Sequence, residues 1–98
     1  MKITIEELQE YLFDHYKNGG IDQSLFMKLV EEIGEVAEVL NKKAGRKSVG
    51  QEDLQTQLGN ELADVVHYTI AIAALNGIDM NDIILSVSYT HLTLPTNS

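Results

Sequence analysis

From Val65 to Leu75 the chain reads VVHYTIAIAAL, a stretch with no formal charge if His67 is neutral. It is too short to cross a membrane, which takes about 20 apolar residues. Wound as a helix it is apolar nearly all round, and a helix of that kind is buried. Just ahead of it stand Glu61 and Asp64, whose i, i+3 spacing puts both on one side of the same helix. The fold must therefore bring two carboxylates to the edge of an apolar interior. A lone ionised carboxylate there is costly enough that it normally pairs or takes up a proton.

The stretch KLVEEIGEVAEVL, residues 28–40, repeats the pattern with Glu31, Glu32, Glu35 and Glu38. On a helical wheel Leu25, Phe26, Leu29, Ile33, Val36, Ala37 and Leu40 cover one apolar arc. Glu32 borders that arc, Glu35 stands beside it, and Glu31 and Glu38 lie further out. Taken alone, this helix has an acidic flank in water. Paired with Glu61 and Asp64 on a neighbouring helix, it offers two sets of hard oxygen ligands facing each other, the chemistry preferred by Mg²⁺ or Mn²⁺. The predicted metal ligands are Glu32, Glu35, Glu61 and Asp64. Of the basic residues Lys2, Lys17, Lys28, Lys42, Lys43, Arg46 and Lys47, few can reach such a site. Gly34 and Gly59 sit inside the same two helices, where glycine costs about 1 kcal/mol relative to alanine. They read either as permitting close approach or as tolerated weak points.

The remaining signals place these helices in an all-α bundle. Thr4 and Glu7 form a capping-box pattern ahead of an amphipathic segment ending near Lys17. Asp22 reads as the N-cap of a second helix over about 23–43, ended by Gly45 with Lys42 and Lys43 in its last turn. A basic loop, Gly45–Gly50, follows. Ser48 and Gln51 are candidate caps for a third helix over about 51–76, stopped at Asn76-Gly77. Asp79 starts a short fourth helix through about Leu85. The expected domain is residues 1–85. Residues 83–98 carry no formal charge if His91 is neutral and alternate like a strand; 86–98 read as a tail that is foreign to the rest or disordered, with a native flexible tail or a partner-binding strand as the alternative.

A single domain of this length buries a modest core, so pairing with a second copy is a natural way to enlarge it. The net charge of −8 disfavours nucleic acid and anionic membranes as partners. It repels a free nucleotide as well, unless divalent cations intervene. Cysteine is absent, which excludes disulfides and thiolate metal sites and suits a cytoplasmic protein. The acidic, amphipathic N-terminus is no signal peptide.

The constellation Glu31-Glu32-x-x-Glu35 followed by Glu61-x-x-Asp64 resembles the EExxE…ExxD signature of the MazG-like all-α nucleoside triphosphate pyrophosphohydrolases. The flanking words KLVEEIGEVAEVL and ELADVVHYTIAIAA are similar too, and the resemblance covers roughly residues 1–85. It implies hydrolysis of a (d)NTP to the monophosphate and pyrophosphate, with Mg²⁺ held by Glu32, Glu35, Glu61 and Asp64. It further implies homodimers or homotetramers, a nucleotide-lining position at Tyr68, and a second-shell or water-orienting role for Glu31. Lys28, one turn before the motif, is in place to touch a phosphate or to pair with Glu31 or Glu32. Of carboxylates not spent on the metal, Glu31 and then Glu38 are the candidate proton acceptors. Relatives carry charged, phosphate-holding residues on the last helix, where this chain is uncharged.

Two other readings use the same residues. Asp64-x-x-His67 is half of a di-iron carboxylate motif, without a second half elsewhere in the sequence. A helical dimerisation module with acidic flanks needs no metal. His15, Tyr16 and Phe26 are candidate pocket residues, equally readable as packing.

Overall fold

The computed structural model describes residues 1–19, 21–45 and 51–93. Four helices account for most of them: α1 (Ile5–Tyr16), α2 (Asp22–Gly45), α3 (Gln51–Leu75) and α4 (Met80–Thr93). The expected all-α architecture is what the chain adopts. Residues 46–50, expected to form the basic loop and including the candidate cap Ser48, lie outside the described residues, as do the last five residues of the tail.

Each boundary has a local cause. α1 opens on a complete capping box: the Glu7 backbone N–H donates to Thr4 Oγ1 at 3.0 Å, and the Thr4 N–H donates to Glu7 Oε1 at 2.9 Å. α3 closes on Gly77, whose φ of 67° is a left-handed conformation natural to glycine. Ile78 N–H bonds back to Ala73 O and Gly77 N–H to Ala74 O, the paired bonds of a Schellman ending. Asp79 caps α4 by accepting from the Asn81 N–H at 3.0 Å. Asp22, read as an N-cap, is instead the first residue of α2, and its carboxylate accepts from the Asn76 side-chain amide at 3.1 and 3.2 Å.

α2 and α3 share the largest interface and run antiparallel. The Asp22–Asn76 contact joins the start of α2 to the end of α3, and Lys43 Nζ to Gln55 Oε1, 2.8 Å, joins the opposite ends. α1 lies across the later half of α3, and Leu12, Leu25, Ile70 and Ala71 make the buried centre. Gln9 then fixes the entry to α4, donating to Ile78 O and accepting from Met80 N–H, both at 2.8 Å.

Three expectations change. α4 does not stop near Leu85 but continues to Thr93, so the first part of the uncharged tail is helical, without a strand. Its side chains from Asn81 to Leu92 are all exposed. The apolar arc of α2 is covered along one edge only: Leu25 and Val39 are buried and Leu29 and Val36 half-buried, whereas Phe26 (54%), Ile33 (52%) and Leu40 (47%) face outward. α3 is likewise not enclosed all round, since Leu62 and Val66 are each 47% exposed.

Candidate metal centre

The seam between α2 and α3 follows a strict alternation of four- and three-residue steps. On α2 the covered side chains are Leu25, Leu29, Glu32, Val36, Val39 and Lys43; on α3 the same steps run through the half-buried Leu54, Leu58, Glu61, Val65, Tyr68, Ile72 and Leu75, while the fully buried Ile70, Ala71, Ala73 and Ala74 lie off this stripe. This spacing keeps one stripe of each helix against the other. Glu32 and Glu61 occupy positions in the stripe that its neighbours fill with apolar side chains. Glu32 therefore lies within the packed face rather than on its border.

Two carboxylates brought together in a seam have few ways to be satisfied. Glu32 Oε1 and Glu61 Oε1 are both buried without a hydrogen-bond partner. One ligand atom from each of Glu32, Glu61 and Asp64 falls within 4.8 Å of the others. Glu32 and Glu61 are half-buried; Asp64, expected to point inward, is exposed at the open side of the cluster. Glu35 is exposed as well and stands outside that trio, although its carboxylate reaches Glu61.

The protonation of the cluster shows the conflict. Glu61 is pushed up to about 7 by the contact with Glu32, by desolvation, and by the contact with and charge of Glu35. Two ionised carboxylates are acceptors only, so the Glu32–Glu61 contact becomes a hydrogen bond when one of them is protonated. Glu61 thus holds its proton to higher pH than an ordinary carboxyl does. Among the described residues no lysine, arginine or histidine forms an ion pair with Glu32, Glu35, Glu61 or Asp64. An all-oxygen donor set with orphaned buried oxygens and no cation of its own fits a hard divalent ion.

The other expected residues are outside this trio. Glu31 and Glu38 are exposed. Lys28 Nζ lies 3.7 Å from Glu31 Oε1, both side chains well exposed, so it pairs with the acidic stripe. Tyr68 is half-buried in the seam one turn beyond Asp64, its ring set edge-on to His67 at 4.8 Å between centroids. His67 is outside the acidic trio, and its Nε2 is engaged by the Tyr16 hydroxyl at 2.7 Å. That contact between α1 and α3 was not legible in the sequence, because nothing in the spacing of residues 16 and 67 announces it. Gly34 and Gly59 are not sites of close approach within the chain: a Cβ at either meets nothing within 4 Å.

The family model for the MazG nucleotide pyrophosphohydrolase domain matches residues 22–89. The chain belongs to that family. The matched stretch contains both acidic pairs, all of α2 and α3, and most of α4; α1 precedes it. A MazG domain implies a nucleotide substrate and pyrophosphohydrolase chemistry. Among curated proteins nothing matches the chain.

Proposed function

We propose that the chain hydrolyses nucleoside triphosphates, (d)NTP to (d)NMP and pyrophosphate, with Mg²⁺ or Mn²⁺ as cofactor. The observation that carries this reading is the pair of orphaned buried oxygens, Glu32 Oε1 and Glu61 Oε1, on two carboxylates that cluster with Asp64. Glu32, Glu61 and Asp64 are the residues that would hold the cation, with Glu35 beside them. A divalent ion bound there supplies charge neutralisation for the phosphates and lowers the pKa of water. It also reconciles an anionic substrate with a chain of net charge −8.

The chain's own groups have distinct tasks. The water oxygen attacks the α-phosphorus, the bond from that phosphorus to the bridging oxygen breaks, and pyrophosphate leaves. Glu31, near the cluster yet exposed, accepts the water proton, with Glu38 on the same acidic stripe as the alternative acceptor. Lys28, which pairs with Glu31, is the residue we assign to a phosphate oxygen. Tyr68 lines the nucleoside side of the cluster. We assign the working unit to a homodimer or homotetramer and its setting to the cytoplasm, where the activity would serve house-cleaning of the nucleotide pool.

A panel of (d)NTPs with Mg²⁺, scored for pyrophosphate, tests the reading. Glu35→Gln and Asp64→Asn should each abolish pyrophosphate release while leaving the helical circular-dichroism signal intact. Turnover that survives in both variants rejects the assignment.

A further inference from the structure

The chain contains the pairs Asn18-Gly19 and Asn76-Gly77, which follow the ends of α1 and α3. An asparagine before glycine readily loses its side-chain amide, because glycine has no Cβ to keep its own nitrogen from the reaction. The glycine nitrogen attacks the asparagine Cγ, the new C–N bond closes a five-membered succinimide, and ammonia leaves. Water then opens the ring at either carbonyl, giving aspartate or isoaspartate. The balance is an amide and water in, a carboxylate and ammonia out, with no oxidant or reductant.

The two sites are alike in backbone and differ in side chain. Gly19 N–H donates to Tyr16 O at 3.1 Å and Gly77 N–H to Ala74 O at 3.2 Å. Both asparagines are exposed. The Asn18 side chain makes no hydrogen bond to the described residues. The Asn76 amide is held by three acceptors: Nδ2 donates to Asp22 Oδ1 at 3.1 Å, to Asp22 Oδ2 at 3.2 Å and to Ile72 O at 2.9 Å. Those bonds hold the group that would have to turn toward the Gly77 nitrogen.

Reaction at Asn76 would reverse what the junction needs. An amide brings two N–H donors to a position surrounded by acceptors, and an ionised carboxylate brings none. Aspartate at 76 would face the Asp22 carboxylate and Ile72 O, and among the described residues no lysine or arginine forms an ion pair with Asp22. The new charge would also stand at the C-terminal end of α3, where the helix dipole disfavours an anion. The contact that slows the reaction is thus the contact the product breaks. A local opening at the helix ends frees Asn76 to react, and the carboxylate formed keeps the ends apart.

We propose that Asn76 is a guarded deamidation site, whose conversion to a carboxylate irreversibly unfastens the start of α2 from the end of α3. The inference is independent of the hydrolase reading. Asn18 serves as its control within the same chain.

The test incubates the whole chain at pH 8 and follows each asparagine by peptide mass spectrometry. In the folded chain Asn76 should react at least about fivefold more slowly than Asn18, the factor one ordinary hydrogen bond supplies. In denaturing urea the two rates should converge. Asp22→Ala should speed reaction at Asn76 about fivefold and leave Asn18 unchanged. Equal rates at the two sites in the folded chain overturn the proposal, and so does an Asp22→Ala variant that leaves Asn76 as slow as before. The consequence is read in thermal melts. Asn76→Asp should lower the melting temperature by about 5 °C, and by less in concentrated salt, which screens exposed like charges. Adding Asp22→Asn returns a donor amide to the pair and should recover the loss. An Asn76→Asp variant as stable as wild type, or one that Asp22→Asn fails to recover, overturns the release. Should Asn76→Asp not fold alone, folding of the double variant supports the proposal and its failure to fold overturns it.

Discussion

At the scale of single residues, the decisive feature is a glutamate in a position meant for leucine. Glu61 is half-buried opposite Glu32, and its pKa of about 7 stands above the ordinary 4.5. Between those two values the folded chain keeps a proton that the unfolded chain releases, so this group's contribution to stability is lost as pH rises toward 7. Glu61→Gln places a neutral amide opposite Glu32 and removes that dependence. In thermal melts without divalent cations, the variant should melt above wild type at pH 8, with the difference shrinking by pH 5.5. Mg²⁺ should raise the wild-type melting temperature at pH 8 and the variant's much less, because a ligand caught by the native state stabilises it. A wild type that gains stability relative to the variant on going from pH 5.5 to 8 contradicts the arrangement. The types and spacing of these acids were legible in the sequence, since i, i+3 pairs against apolar runs have few bland explanations. Their depth was not. A wheel centred on the widest apolar arc puts Glu32 at its border, whereas the narrower packed stripe runs through it.

At the scale of helices, capping chemistry made most ends readable. Thr4 with Glu7, and Asn76 with Gly77, mark boundaries the structure keeps. Asp22 misled because a carboxylate at a helix start serves equally as a cap or as a partner for Asn76. α4 misled for another reason: Thr, Ser and Tyr in alternation look like a strand, but a helix already capped by Asp79 and continuous with it sets the conformation instead. The glycines inside α2 and α3 have room around them, so their cost is not offset within the chain. Gly59→Ala should stabilise an isolated chain by about 0.5–1 kcal/mol, read as a higher denaturation midpoint with an unchanged slope. A lower midpoint would mean that something outside the chain packs against the backbone there.

At the scale of the whole molecule, the apolar surface is divided unevenly. On helical wheels Phe26, Ile33 and Leu40 of α2 and Leu62 and Val66 of α3 share one side of the antiparallel pair, while Glu35 and Asp64 point to the other. The stripe on α2 runs about 21 Å, from Phe26 to Leu40. An uncharged face of this extent on a strongly acidic chain is where like-charged copies can meet without repulsion. A wide apolar arc thus coexists with a narrow seam: one stripe packs within the chain and the rest is exposed, the face on which the proposed oligomer would form. Two copies joined there would keep both acidic clusters open on the outer sides. Ile33→Asp sets a carboxylate in the middle of this face, where it would be buried and unpaired on association. Sedimentation velocity should then show the wild type as a dimer or tetramer and the variant as a monomer of 10.9 kDa. The wild-type melting temperature should rise with protein concentration, as it does for linked folding and assembly, and the variant's should not. A wild type that sediments as a monomer at all concentrations would leave the face unexplained and remove the oligomer from the proposed working unit.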